Sequence, residues 1–186
     1  MDKVKVRMFD SFEIEYRGKI LNESANRSKK LWVLLAYIIY FRRNTITRKM
    51  LLEDLWGSEY IAENVLKIAM HRLRQMLSEC FGEEFGHSFL VCKNNRYNVN
   101  ESFQVICDFE EFDEEIIKAK KIKKAEERLV VFRKAFEQYR GEFLASFSDE
   151  TWVIPMAMYS RSLYQELVQD ILTIYEKQSK NREAVE

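Results

Sequence analysis

The sequence has few of the residues that interrupt helices or cross-link chains. It contains one Pro, five Gly and three Cys in 186 residues. So few breakers favour a helix-rich protein, and Cys80, Cys92 and Cys107 cannot form a complete disulfide framework, so we expect reduced thiols. No apolar run is as long as a membrane span, and the alternating start MDKVKVRMF is unlike a signal peptide. We therefore expect a cytoplasmic protein without a membrane partner.

Residues that support catalysis or metal binding are also scarce. The two His are His71 and His87, and the sequence contains no GxGxxG, phosphate-binding loop or nucleophile elbow. Its carboxylates are scattered, as on solvated helix surfaces. The spacing of Cys80, His87 and Cys92 fits no familiar zinc pattern. The sequence predicts no enzyme, no catalytic residue, no cofactor and no metal site.

The net charge is zero for the whole chain but not for its two halves. The formal net charge is zero, but residues 1–100 carry 17 Lys and Arg against 12 Asp and Glu, and the remainder carries the opposite excess. A basic half joined to an acidic half indicates that only the first half meets a polyanion.

The stretch from Ile61 to Phe81 is the most informative part of the basic half. It contains no Gly or Pro, and its apolar residues recur at helical spacing, which predicts a helix with one buried stripe. The stripe consists of Leu66, Met70, Leu73 and Leu77.

The opposite face of this predicted helix carries no carboxylate between Glu63 and Glu79. Surface helices usually mix charges of both signs, so a face of amide, imidazole and cationic groups favours a polyanionic partner such as double-stranded DNA. The side chains predicted to contact bases are Asn64, Ile68, His71, Arg72 and Gln75. Lys67 and Arg74 lie on one flank, where they are predicted to contact the DNA backbone.

Three alternatives remain open at this level. The helix can be a basic surface helix without a nucleic-acid partner, and Ile68 can pack under a neighbouring element instead of a thymine methyl. The alternative function is that of a helical-repeat interaction module whose basic N-terminal domain docks a protein partner. Salt-sensitive binding to DNA and heparin would separate the two functions.

The elements around the basic helix follow the order of a winged helix. Short alternating strands precede an apolar helix over about 28–42, and Thr47 caps a second helix that ends at Gly57. After the basic helix, residues 89–92 and 97–99 flank the polar tip Lys93-Asn94-Asn95-Arg96, which predicts a hairpin. Further backbone contacts are predicted for Arg42, Arg43, Lys93 and Arg96.

From Cys107 onward, helical spacing dominates. Three helices are predicted, over about 109–121, 122–139 and 151–178, and we expect most of their aromatic residues to be buried against one another and against the first domain. The predicted domains are residues 1–102, a winged helix, and residues 103–186, an all-α domain.

At this point the residues resemble a known family. The first half resembles the OmpR-type winged helix of the SARP transcriptional activators, and the second half resembles the bacterial transcriptional activator domain that follows it there. The first resemblance rests on Leu31, Leu34, Leu35, Ala36, Arg48, Leu51, Leu55, Trp56, Asn64, Leu66, Arg72, Leu73, Arg74, Leu77 and Tyr97. The second rests on Asp108, Phe112, the run Tyr139-Arg-Gly-Glu-Phe-Leu144, Trp152 and Val153.

The resemblance implies a tetratricopeptide-like second domain, binding as a homodimer to direct repeats, and contact with RNA polymerase. Two departures stand out. Asn95-Arg96 replaces the Gly-Gly that often precedes the wing Tyr, and the second domain is shorter than in the family, so we expect a truncated chain or a short member. The resulting prediction is a sequence-specific DNA-binding transcriptional activator.

Overall fold

The computed structural model describes residues 2–57 and 64–183, with side chains up to residue 179. The residues predicted to begin the basic helix, 61–63, lie outside the described part. The elements in chain order are β1 (Asp2–Arg7), β2 (Glu13–Tyr16), β3 (Lys19–Asn22), α1 (Lys29–Tyr40), β4 (Ile46–Thr47), α2 (Arg48–Trp56), α3 (Asn64–Phe81), α4 (Glu83–Ser88), β5 (Leu90–Lys93), β6 (Arg96–Val99), β7 (Phe103–Cys107), α5 (Asp108–Lys120), α6 (Ala125–Gln138) and α7 (Val153–Glu183).

The N-terminal strands form one face of the first domain. β3, β2, β1 and β7 make a four-stranded sheet in that order, antiparallel except for the parallel pair β1–β7. Alternation along β1 buries Val4 and Val6 on the inner face. The same alternation places Lys5 and Arg7 on the outer face, opposite Glu15 and Glu13 of β2.

The predicted helix boundaries around α2 are confirmed by its two caps. The Thr47 hydroxyl accepts a hydrogen bond from the Met50 N–H at 3.2 Å, which pairs a backbone donor that the helix itself leaves free. At the other end Gly57 adopts a left-handed conformation, with φ of 72°, which Gly enters without the steric cost of a Cβ.

The predicted hairpin is confirmed as β5 and β6, joined at Asn94 and Asn95. Both Asn residues are left-handed, with φ of 53° and 58°, as a two-residue type I′ turn requires. Arg96 already belongs to β6 and pairs with Lys93 across the ladder. Replacement of the family's Gly-Gly therefore leaves the hairpin intact, because Arg96 does not occupy a turn position. The short strand β4, which was not predicted, adds a third strand through the pair Ile46–Tyr97.

Up to residue 183, the second domain contains three α-helices, as predicted. α5 and α6 form an antiparallel pair on which α7 packs, with the rings of Tyr139 and Tyr164 stacked at 4.2 Å. Lys120 and Glu166 form an ion pair at 2.9 Å between α5 and α7. Many of the aromatic residues are buried as expected, including Phe132 and Phe147, but Phe136, Tyr159 and Tyr175 remain exposed. The fold is thus a winged helix followed by a helical domain.

One hydrophobic core runs through both domains. Phe9, at the end of β1, contacts the rings of Phe109 and Phe112 of α5. The Asp108 carboxylate accepts hydrogen bonds from the Met8 and Phe9 N–H groups at 2.8 and 3.2 Å. β7, directly after the predicted boundary between residues 102 and 103, is hydrogen-bonded to β1. That boundary stays a prediction, and we propose Cys107, the last residue of β7, as a better limit of the first domain.

None of the described helices has the length and apolar character needed to cross a bilayer.

Candidate nucleic-acid interface

Helix α3 is held in place by its inner face. Leu66, Met70, Leu73 and Leu77 are buried, as the periodicity predicts, together with Ala69 and Met76. A helix anchored along one complete stripe presents its opposite face in a fixed orientation.

The outer face of α3 consists of Asn64, Lys67, Ile68, His71, Arg72 and Gln75, and all six residues are exposed. Ile68 is 51% exposed at the centre of this face. It therefore packs neither under the wing nor against the second domain, which removes that alternative. An apolar group of this size among polar neighbours suits a partner surface that also carries an apolar group.

The polar side chains of this face are mostly unengaged. The Gln75 amide donates to Glu79 Oε1 at 3.1 Å. Within residues 2–57 and 64–183, Lys67, His71 and Arg72 form no side-chain hydrogen bond or ion pair. Their donors are free to meet acceptors on another molecule.

The wing carries two further cations. Lys93 and Arg96 lie opposite each other, exposed, at the tip of the β5–β6 hairpin. The tip is fixed to the start of α2, because the Arg48 N–H donates to the Asn95 carbonyl at 3.1 Å. At the base of the wing, the Tyr97 ring is buried in the core, and this burial raises the pKa of its hydroxyl to about 12.

No cluster of three His, Cys, Asp or Glu side chains in the described part of the chain is arranged to hold a metal ion.

Comparison with known proteins agrees with this geometry. Residues 22–85 match the family model described as "Transcriptional regulatory protein, C terminal". The N-terminal domain has a winged-helix fold, and its residues 22–85 are similar to this family. The match covers about a third of the chain and includes α1, α2 and α3, and it supports the resemblance to the SARP activators.

The whole architecture also occurs in a solved structure. EmbR of Mycobacterium tuberculosis, solved in complex with a low-affinity phosphopeptide, matches with a TM-score of 0.64 and 17% sequence identity. The alignment covers 94% of this chain and 44% of EmbR, so the chain spans less than half of that protein's length. At this identity the likeness establishes a shared fold across both domains. A search of curated protein sequences gives no match.

Two arginines that were predicted to contact the DNA backbone, Arg42 and Arg43, instead form ion pairs with Glu110 of the second domain. Arg42 is only 11% exposed at its side chain and forms an ion pair with Glu110 of α5. It also donates to the Ile39 carbonyl at 2.9 Å. Its role is to fix the end of α1 to the second domain. Arg43, 68% exposed at its side chain, pairs with the same Glu110 at 3.3 Å.

Arg74 is the third predicted contact to the DNA backbone whose position differs from the expectation. It is partly buried, and its guanidinium donates to the Leu90 carbonyl at 3.0 Å, which joins α3 to β5. Its flank position was predicted from helical geometry alone. The neighbouring strand occupies that flank, so Arg74 supports the wing from within the domain.

The sequence reasoning missed Arg48 and Lys49. They begin α2 and, with Asn94 to Arg96, line a cleft of about 420 Å³ between that helix and the wing. The available signal is the pair of cations in succession after the Thr47 cap, at the positive end of the helix dipole. Lys49 is also paired with Glu53 of the same helix at 3.6 Å.

Proposed function

We propose that the protein is a sequence-specific DNA-binding transcriptional regulator in which α3 enters the major groove. The proposal rests on the outer face of α3. This face combines unpaired hydrogen-bond donors with one exposed apolar side chain, and it contains no carboxylate from Asn64 to Gln75. The major groove presents acceptors, donors and thymine methyl groups at its floor, which such a face complements.

Each side chain of this face has a proposed role. Arg72 donates two hydrogen bonds to one guanine edge, and Asn64 and Gln75 pair with adenine edges, as is usual for these residue types. His71 donates to a base acceptor. Ile68 lies in the middle of the face and packs against a thymine methyl.

Sequence-independent affinity is assigned to cations around this face. Lys67 lies on the flank of α3, and Lys93 and Arg96 lie on the wing. Cations beside a recognition helix commonly contact DNA phosphates. Arg48 and Lys49 add to this group through their position beside the wing tip. Arg42 and Arg74 are left out because Glu110 and the Leu90 carbonyl engage them. Arg43 remains as a weaker contributor, because it shares Glu110.

The second domain is proposed to act as the activating part. Residues 101–186 carry five more acidic than basic residues, which disfavours DNA contact. The resemblance to SARP activators supports contact with RNA polymerase and head-to-tail homodimers on direct repeats, in the cytoplasm where the DNA is located. Leu172 and Tyr175 of α7 are 55% and 40% exposed and offer apolar surface for such contacts.

Selection of DNA sequences by the purified protein, followed by footprinting, tests this function. We expect enrichment of two copies of one half-site in direct repeat, spaced by about one helical turn or a multiple of it. Sedimentation with one and with two half-sites should show one and two bound chains. A chain that stays monomeric and binds DNA with one half-site as tightly as DNA with two would contradict the dimer. If no sequence is enriched, the protein-docking alternative is favoured.

A further inference from the structure

Helix α7 carries a second stripe on the side that faces away from the core. Its buried stripe consists of Ser160, Leu167 and Ile174. At about 100° per residue, Ile154 and Leu172 lie on the opposite side of the helix, where they are 45% and 55% exposed. These apolar side chains therefore add little to the core of their own chain.

The members of this outer stripe recur at the spacing of a coiled coil. Alternating steps of four and three residues separate them, as between the a and d positions of successive heptads. Met158 is the most exposed large apolar side chain in the described part of the chain, at 65%, and only Val168 is half-buried. The outer stripe consists of Ile154, Met158, Arg161, Gln165, Val168 and Leu172.

The order of the apolar members makes the outer stripe complementary to a second copy of itself. In an antiparallel coiled coil, each a position packs against a d position of the other helix. With the pair centred on residue 163, Ile154 of one copy faces Leu172 of the other, and Met158 faces Val168. Each of these contacts occurs twice, so apolar side chains meet apolar side chains in both end regions of the pair.

The polar members in the middle of the stripe select the direction of the two helices. In the antiparallel pair, Arg161 of one copy faces Gln165 of the other, whose amide oxygen accepts hydrogen bonds from a guanidinium. In a parallel pair, Arg161 would face Arg161, and two like charges in direct opposition repel each other. Arg161 also forms an ion pair with Glu142 of its own chain, so its charge is compensated beside the stripe.

We propose that α7 pairs with α7 of a second copy of this chain as an antiparallel coiled coil over residues 154–172. The overlap is about 28 Å long, and each copy contributes the same surface, as in other two-fold symmetric contacts. Such a contact goes beyond the proposed function, because chains bound head-to-tail on a direct repeat are not related by a two-fold axis. It involves neither α3 nor the wing.

Sedimentation of the purified chain without DNA tests the pairing independently of the proposed function. Over a concentration series up to about 1 mM, we expect a reversible dimer that dissociates on dilution. Met158→Glu should weaken the dimer at least about tenfold, because it places an unpaired carboxylate opposite Val168. Val130→Glu is the matched control, since Val130 is 62% exposed on α6, and it should leave the dimer unchanged.

Disulfide formation between copies tests the direction and the register. A mixture of Ile154→Cys and Leu172→Cys chains, both also carrying Cys92→Ala because Cys92 is exposed, should form a cross-linked dimer on mild oxidation. Either variant alone should not, because its two cysteines would lie about 27 Å apart in the antiparallel pair. A chain that stays monomeric throughout the series, equal effects of the two glutamate variants, or more efficient cross-linking of one cysteine variant alone would overturn the proposal.

Discussion

Phe9 and Phe143 face each other across an antiparallel backbone bridge that joins the end of β1 to the segment after α6. Hydrogen bonds flank it on both sides, from Asp10 N–H to the Glu142 carbonyl at 2.8 Å and from Leu144 N–H to the Met8 carbonyl at 2.7 Å. Both Phe side chains are fully buried. The winged helix and the second domain are therefore joined by backbone pairing as well as by side-chain packing.

The first prediction concerns this junction between the winged helix and the second domain. Phe143→Ala should lower the free energy of unfolding by about 3–5 kcal/mol, as for other large-to-small changes at buried Phe. Because one core spans both domains, urea unfolding should remain a single transition by circular dichroism and by fluorescence. Phe136→Ala, at a side chain that is 44% exposed, is the control and should cost much less. Two separate transitions in the wild type would contradict the shared core.

The second prediction concerns the packing of α4 on α3. A Cβ at Gly86 would lie 2.0 Å from Ser78 Oγ and 2.6 Å from both the Arg74 carbonyl oxygen and the Ser78 nitrogen. The backbone atoms cannot move aside as a side chain can, so Gly86→Ala should destabilise the fold by about 1–3 kcal/mol or more. Ser78→Ala, which adds no atom, should be far milder. Thermal unfolding of the two variants measures the difference, and equal stability would show that α4 shifts freely.

The third prediction concerns pH. Burial raises the pKa of Asp108 to about 6, against the opposing effect of three backbone hydrogen bonds. The folded pKa therefore lies above the unfolded value, so the folded state binds more protons between the two values. The contribution of Asp108 to stability is full below the unfolded pKa and is lost as the pH rises through about 6.

Asp108→Asn isolates this effect because Asn does not titrate. The free energy of unfolding of the wild type relative to the variant should fall by up to about 3 kcal/mol as the pH rises from about 4 to 7. Urea titrations at several pH values give this difference. A difference that does not change with pH would show that the hydrogen bonds from Met8, Phe9 and Phe109 offset the effect of burial.

The fourth prediction concerns the wing. Lys93→Ala and Arg96→Ala should each weaken binding evenly across DNA sequences and should reduce the slope of log affinity against log salt by about one unit. Lys118→Ala, an exposed cation of the second domain, is the matched control and should leave the slope unchanged. An unchanged slope in both wing variants would place the wing away from DNA.

The local pattern of the sequence was sufficient for much of this fold. Thr47 and Gly57 delimit α2 through backbone chemistry within a few residues, and the buried stripe of α3 follows from its periodicity. The parallel pairing of β7 with β1 was not predicted, because it joins segments about a hundred residues apart. The short helix α4 was also missed, since six residues give little periodic signal.

In the candidate site, too, the features set by local sequence were predictable and those set by tertiary packing were not. Exposure on the outer face of α3 follows from helical geometry and was correctly predicted for Ile68. The engagement of Arg42 by Glu110 and of Arg74 by the Leu90 carbonyl depends on elements that pack from elsewhere in the chain. Helical position predicts which face of the helix a residue lies on. The elements that pack beside that face determine which group its charged atoms contact.

The central claim is that the outer face of α3 reads DNA sequence, and Arg72 tests it most directly. The affinity of Arg72→Ala should be measured on the selected half-site and on random DNA, with Arg42→Ala as the control for a cation engaged within the protein. We predict a loss of about 1–3 kcal/mol on the selected site and a much smaller loss on random DNA. Wild-type affinity on the selected site would contradict the claim, and so would an equal loss on both DNAs.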